Sequence, residues 1–207
     1  MKKFLLSFLF FYSSSYAAHI SLTKAQSEKL QKFITEKWNS QSQIVKNLQE
    51  QEVISEATAQ QVSQAQQSLS LKVIALHPRT CQRGLKKISL YEDYKSHMSF
   101  LQKSEYDEKK QMVFFTIDHS LLPYAMILNF KLPRIKSESV THYTFTHGLF
   151  KNLQGEIHVR SIDNRCVYFM QASWLGESTK LNASIVEAFA QTLTKIGLEH
   201  LMRVANL

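Results

Sequence analysis

Histidine, cysteine, serine and the carboxylates are the side chains in this chain that could move a proton, hold a metal or make a covalent bond, and their spacing sets how far such chemistry can go. Eight histidines are spread along the sequence. His142 and His147 are five apart in an expected strand, which turns them to opposite faces and prevents both from ligating one ion unless the strand bends. Asp118, His119 and Ser120 put the three residue types of a hydrolytic triad side by side. A triad is assembled across a fold, and adjacent side chains at a strand end cannot face one another, so this segment reads as a turn. There is no Gly-rich phosphate loop, metal-ligand spacing or nucleophile elbow, and no cofactor or metal is called for. Two cysteines, Cys81 and Cys166, are too few for a disulfide scaffold or a four-thiolate zinc site. One falls in an expected helix and the other in mid-strand, so each reads as a small buried hydrophobe ahead of a pair, with pairing left open.

With 207 residues and 44% hydrophobic composition, the chain suits one ordinary domain plus an appendage and excludes wholesale disorder. Lys2 and Lys3, the apolar run Phe4 to Tyr12, and small residues at Ser15 and Ala17 form the three parts of a secretory leader, with cleavage expected after Ala17 or Ala18. That reading makes residues 1–18 a signal peptide and the protein periplasmic or secreted, in a compartment that permits disulfides. The formal charge of +8 falls by two to +6 when Lys2 and Lys3 leave. A mild, dispersed excess of that size suits transient contact with an anionic membrane surface and gives no arm for nucleic acid.

Behind these residues stand the elements that must position them. From Ser21 to about Ser70 the composition is rich in Gln, Glu, Ser and Lys, without Gly or Pro. Leu30, Phe33, Ile34, Trp38, Ile44, Val45 and Leu48 recur at helical spacing, and Thr23 with Gln26 offers a capping box, which predicts a helix over about 23–50. Ala59, Val62, Ala65 and Leu69 predict a second over about 55–68, so residues 19–70 read as a Gln-rich helical hairpin. From Leu71 the period becomes two. A strand over 71–76, short helices after Pro78, and six antiparallel strands follow, with turns at Asp107 to Lys110 and at Asp163-Asn164. A long helix closes the chain over about 181–204 on Ile185, Val186, Phe189, Leu193, Ile196 and Leu201. Strands segregated in sequence from a closing helix mean an α+β fold, the helix lying across one face of a curved sheet.

Several stretches resemble the START-like (SRPBCC) helix-grip superfamily, in particular its coenzyme-Q-binding and polyketide cyclase/dehydrase-like branch. They are Pro78 to Leu90 with Tyr91-Glu92-Asp93-Tyr94 and Met98-Ser99-Phe100, then Gly148 to Gly155, then the closing helix Ser184 to Leu207. The resemblance covers residues 71–207. It departs where members often carry a proline and this chain has Lys95-Ser96-His97. It implies a curved antiparallel sheet around the last helix, enclosing an elongated apolar pocket for a lipid, quinone or isoprenoid. The wall residues it implies are Tyr124, Met126, Leu128, Phe130, Tyr143, Phe145, Tyr168, Met170, Phe189 and Leu193. A one-residue slip in register would place the opposite set inside, and ordinary core packing would use the same side chains. Non-catalytic binding is the leading expectation. A cyclase-like enzyme would draw its acid or base from Tyr143, His147, Arg160 and Tyr168, and an interaction module would act through the N-terminal hairpin.

Overall fold

The computed structural model describes residues 20–38, 43–50, 53–118, 125–179 and 181–206. The leader, together with His119, Ser120 and Tyr124, lies outside the described residues. Helices α1 (Lys24–Trp38) and α2 (Gln43–Gln49) come first, then strands β1 (Ile54–Ser63) and β2 (Gln66–His77). Helix α3 (Cys81–Ile88), a 3-10 turn (Tyr91–Asp93) and helix α4 (Tyr94–His97) follow. Strands β3 (Leu101–Asp107), β4 (Met112–Ile117), β5 (Met126–Lys131), β6 (Ser139–His147), β7 (Gln154–Ile162) and β8 (Arg165–Glu177) complete the sheet before helix α5 (Ala183–Asn206). The antiparallel order is β1-β2-β8-β7-β6-β5-β4-β3.

The sheet has two buried faces because each is covered by different helices. On the inner face Leu71, Val73 and Ala75 of β2 and Tyr168, Ala172 and Trp174 of β8 face α5 and α3 in the main core. On the outer face Ile74 and Leu76 of β2, with Val167 and Phe169 of β8, meet Leu30, Phe33, Ile34 and Trp38 of α1. The rings of Phe33 and Trp38 each lie edge-on to Phe169 at 6.2 Å. Burying the four α1 side chains at roughly 1.5 to 3 kcal/mol each is enough to hold the helix down, so α1 docks on the sheet and does not project. β2 and β8 therefore read as near-continuous apolar runs at their covered ends, as strands covered on both sides do. The capping box forms as expected: Gln26 N donates to Thr23 Oγ1 at 3.3 Å, and Thr23 N to Gln26 Oε1 at 2.9 Å.

Three expectations are corrected. The helix expected over 55–68 is strand: Ile54 to Ser63 pairs antiparallel with β2, and the sheet begins there, so a boundary at residue 71 would cut β2. Ala57 and Ala59 recur on the face against α5, where small side chains let the helix cross close to the edge, and strand pairing overrides weak helical propensity. The single helix expected over 23–50 is two elements, α1 and α2. Finally, Cys81 and Cys166 are joined by a disulfide, with Cα atoms 4.6 Å apart, because α3 starts directly over β8.

The hairpin turns are as read. Asp163 and Asn164 take φ of 47° and 67°, the left-handed pair of a two-residue turn between β7 and β8. β3 and β4 pair across the charged turn after Asp107. Among the described residues no helix is long and apolar enough to cross a membrane.

Candidate functional site

Between the concave face and α5 lies a cavity of about 310 Å³, within the usual range for small-molecule sites. Alternation along the strands sends Leu128 and Phe130 of β5, Tyr143 and Phe145 of β6, and Tyr168 and Met170 of β8 into its wall. From α5, Phe189 and Leu193 face them one helical turn apart. Of the ten residues singled out from the sequence, these eight stand around one cavity. Met126 is buried in the core at 4% exposure and is not in the wall, although Ile117, opposite it on β4, is. Tyr124 lies outside the described residues.

Aromatic rings form much of the floor. Phe115, Phe130 and Phe145, on neighbouring strands β4, β5 and β6, follow one another at centroid distances of 5.4 and 4.9 Å, the second pair stacked. Tyr143 lies across Gly155, where a Cβ would come within 2.5 Å of its ring and of a backbone oxygen, so only glycine leaves room for that ring. Sequence reasoning did not find the cover of the cavity. Leu85 and Ile88 of α3, Tyr91 of the 3-10 turn and Tyr94 of α4 close it, and the stripe that Cys81, Leu85 and Ile88 make on a short helix does not say which surface that helix covers.

One arginine holds that cover. Arg134, 14% exposed, donates from Nη1 to Ser89 O at 2.5 Å, from Nη2 to Glu92 at 3.1 Å and from Nε to Glu108 at 3.0 Å. Its guanidinium lies 4.4 Å from the Tyr106 ring centroid and 5.7 Å from that of Tyr91. The arginine thereby ties the loop after β5 to the segment that carries Tyr91.

Polar groups of the wall are few. The Tyr91 hydroxyl donates to Pro133 O at 3.1 Å and accepts from Ile135 N at 3.3 Å. Tyr94 donates to Ile88 O, and Thr194 Oγ1 to Ala190 O at 2.6 Å. The Tyr168 hydroxyl is fully buried without a hydrogen-bond partner among the described residues. Burial pushes Tyr91, Tyr94, Tyr143 and Tyr168 above the usual phenol range; for Tyr143 and Tyr168 burial is the sole cause. Such tyrosines stay protonated near neutral pH, so they can donate a hydrogen bond and cannot serve as resting bases.

The four suspected acid-base residues are not brought together. Tyr143 and Tyr168 line the cavity. His147 is exposed at the end of β6, and Arg160 is exposed on the outer face with its guanidinium 5.8 Å from the Phe33 ring centroid. His142 also points outward, 80% exposed, with Nδ1 4.0 Å from Glu156. Glu156 accepts from His158 Nε2 and from Gln171 Nε2, each at 2.6 Å, and the His158 bond chiefly holds its carboxyl below the usual range. This polar group belongs to the convex side, across the sheet from the cavity. No group of three or more His, Cys, Asp or Glu among the described residues could hold a metal ion.

No protein-family model matches the chain, and no curated protein sequence matches it. Solved structures do. The aromatase/cyclase ZhuI from Streptomyces sp. R1128 superposes with a TM-score of 0.58 at 12% identity, covering 67% of this chain and 94% of that one. Ara h 8.0201 does so with 0.52 at 11%, covering 68% and 99%. A START superfamily protein from Mycobacterium smegmatis gives 0.50 at 8%, covering 66% and 97%. Nearly the whole of each neighbour is matched by about two thirds of this chain, and identities this low speak for the fold alone. The antiparallel sheet of this chain, curved around the long C-terminal helix, superposes at this coverage on all three, which gives this chain the START-like (SRPBCC) helix-grip fold.

Proposed function

We propose that the protein is an exported, non-catalytic carrier that holds a lipophilic small molecule of the lipid, quinone or isoprenoid class between the sheet and α5. The observation that carries this reading is the wall: the described lining residues are aliphatic and aromatic side chains, with tyrosine and threonine hydroxyls as their only side-chain polar groups. A guest buried there gains about 25 cal/mol per Å² of apolar area removed from water, and a few polar groups set its orientation. The Cys81–Cys166 disulfide supports export, since such bonds persist in oxidising compartments. The modest positive charge suits delivery from, or to, an anionic membrane surface.

Both other readings have less support. A cyclase-like reaction would need an acid and a base on one substrate, and of the four suspected residues only Tyr143 and Tyr168, both held protonated, reach the cavity. An interaction module would need α1's apolar stripe free, and that stripe is buried on the sheet. The test is titration of the chain lacking residues 1–18 with the uncharged fluorophore Nile red, followed by displacement with a panel of quinones, isoprenoids and acyl lipids. Saturable, displaceable binding near one per protein is expected. Absence of saturable binding by an otherwise folded protein contradicts the carrier reading.

A further inference from the structure

A glycine in the interior of a helix needs a reason, because it has the freest backbone in the unfolded chain and brings no side chain to pack. Ordinary reasons are a positive φ, a second backbone passing close by, or a side chain seated where a Cβ would stand. None of them holds for Gly197, deep within α5. Its φ is not positive. Apart from the helix's own backbone, the nearest atom to a Cβ placed there would be Cζ of Phe100, at 4.0 Å, an ordinary contact. At each of the chain's other four glycines a Cβ would lie within 2.5 Å of a neighbouring atom. The fold would therefore accept alanine at 197, and the helix would be more stable for it.

What lies beside Gly197 is the cavity. Gly197 and Phe100 both belong to its wall, and a side chain at 197 would meet that ring first, so the missing side chain is missing from the cavity side of α5. Leu193 and Leu201, four residues before and four after, line the same wall, and side chains at that spacing stand one above the other on a helix. Gly197 thus opens a notch, flanked by two leucines, floored by helix backbone and faced by Phe100. A straight chain running along α5 would bridge the notch and leave it empty. A methyl branch or the edge of a ring would enter it and gain the dispersion contacts that an empty notch forgoes.

We propose, resting on the carrier reading above, that Gly197 sets the shape selectivity of the cavity: the notch receives a lateral group of the guest, so methyl-branched or ring-bearing lipophiles are preferred to straight chains. The helix gives up stability at this position in exchange for room, as happens where a site and the element that carries it make opposite demands.

The test is calorimetric titration of the chain lacking residues 1–18 with 3,7-dimethyloctan-1-ol and with its straight-chain isomer decan-1-ol, which carry the same atoms in different shapes. The wild type is expected to bind the branched isomer about fourfold more tightly, the value of one methyl group brought into apolar contact. In Gly197→Ala the added methyl fills the notch, so the branched isomer should fall to the affinity of decan-1-ol, which should be unchanged. The same substitution should raise the thermal midpoint of the unliganded protein by about 2 to 4 °C. Equal affinity of the two isomers for the wild type overturns the proposal, as does a branched preference that survives Gly197→Ala. Weakening of both isomers alike in that variant, the mark of a hinge, overturns it too, and so does a lowered thermal midpoint, which would show that the fold itself needs the glycine. If the wild type binds neither Nile red nor either alcohol, it is the carrier reading that fails, which separates the two results.

Discussion

Removing the Cys81–Cys166 bond tests the architecture around the cavity, and its cost can be worked from the chain. The two residues are 85 apart, so the bond closes a long loop in the unfolded protein. Loop-closure entropy for that length comes to about 4.5 kcal/mol at 25 °C. Domains of this kind have about 5 to 15 kcal/mol in total, so the loss would take a large share. With a urea dependence of about 2 kcal/mol per molar, the midpoint of unfolding should fall by about 2 M. Two routes reach the same state: Cys81→Ala with Cys166→Ala, and reduction of the wild type by a thiol reagent. The second leaves every atom of the buried pair in place, so agreement between them separates loop entropy from side-chain loss. Intact protein denatured without reductant should show no titratable thiol. Free thiols in that sample, or midpoint shifts under about 0.3 M by both routes, would refute the reasoning.

Charge placed at two neighbouring positions of β5 should have different effects. Leu128→Arg puts a cation in the cavity wall and should abolish Nile red binding with circular dichroism retained; Met126→Arg buries it in packed core and should cost several kcal/mol of stability, measured by urea unfolding. Gly155→Ala should displace the Tyr143 ring and weaken binding, seen as a changed tyrosine fluorescence and a raised Kd. Glu156 gives a pH signature. Its folded pKa is depressed, chiefly by His158, so its contribution is fully present above the unfolded carboxyl value of about 4.3 and is lost as pH falls through the lower folded value. Glu156→Gln should therefore flatten the fall in urea midpoint between pH 5 and 3 relative to wild type, and an unchanged slope would count against the bond.

How far this was legible from residues depends on whether a pattern is local. Leu128 and Phe130, and Tyr143 and Phe145, each stand two apart in strands with one apolar face, so alternation placed each pair on one side, whereas β8 is apolar on both faces and Tyr168 and Met170 were named only through the resemblance. The Asp163-Asn164 turn was legible because its backbone demands residues that tolerate positive φ. β1 was misread because Ala59, Val62, Ala65 and Leu69 mimic helical spacing, and only the pairing with β2 shows that Val62 is 54% exposed at a strand's edge. The cover of the cavity depends on where α3 and α4 fold back, and Arg134 acts on it from a loop distant in sequence. The disulfide is of the same kind: nothing at Cys81 announces that β8 passes beneath it.

The most direct test of the central claim is native mass spectrometry of the protein recovered from the exported fraction without detergent, with organic extraction of whatever accompanies it. The account predicts one lipophile of the lipid, quinone or isoprenoid class per chain, removed by extraction and diminished in Leu128→Arg. A protein that emerges empty, and that stays empty when offered neutral lipophiles in vitro, would contradict it.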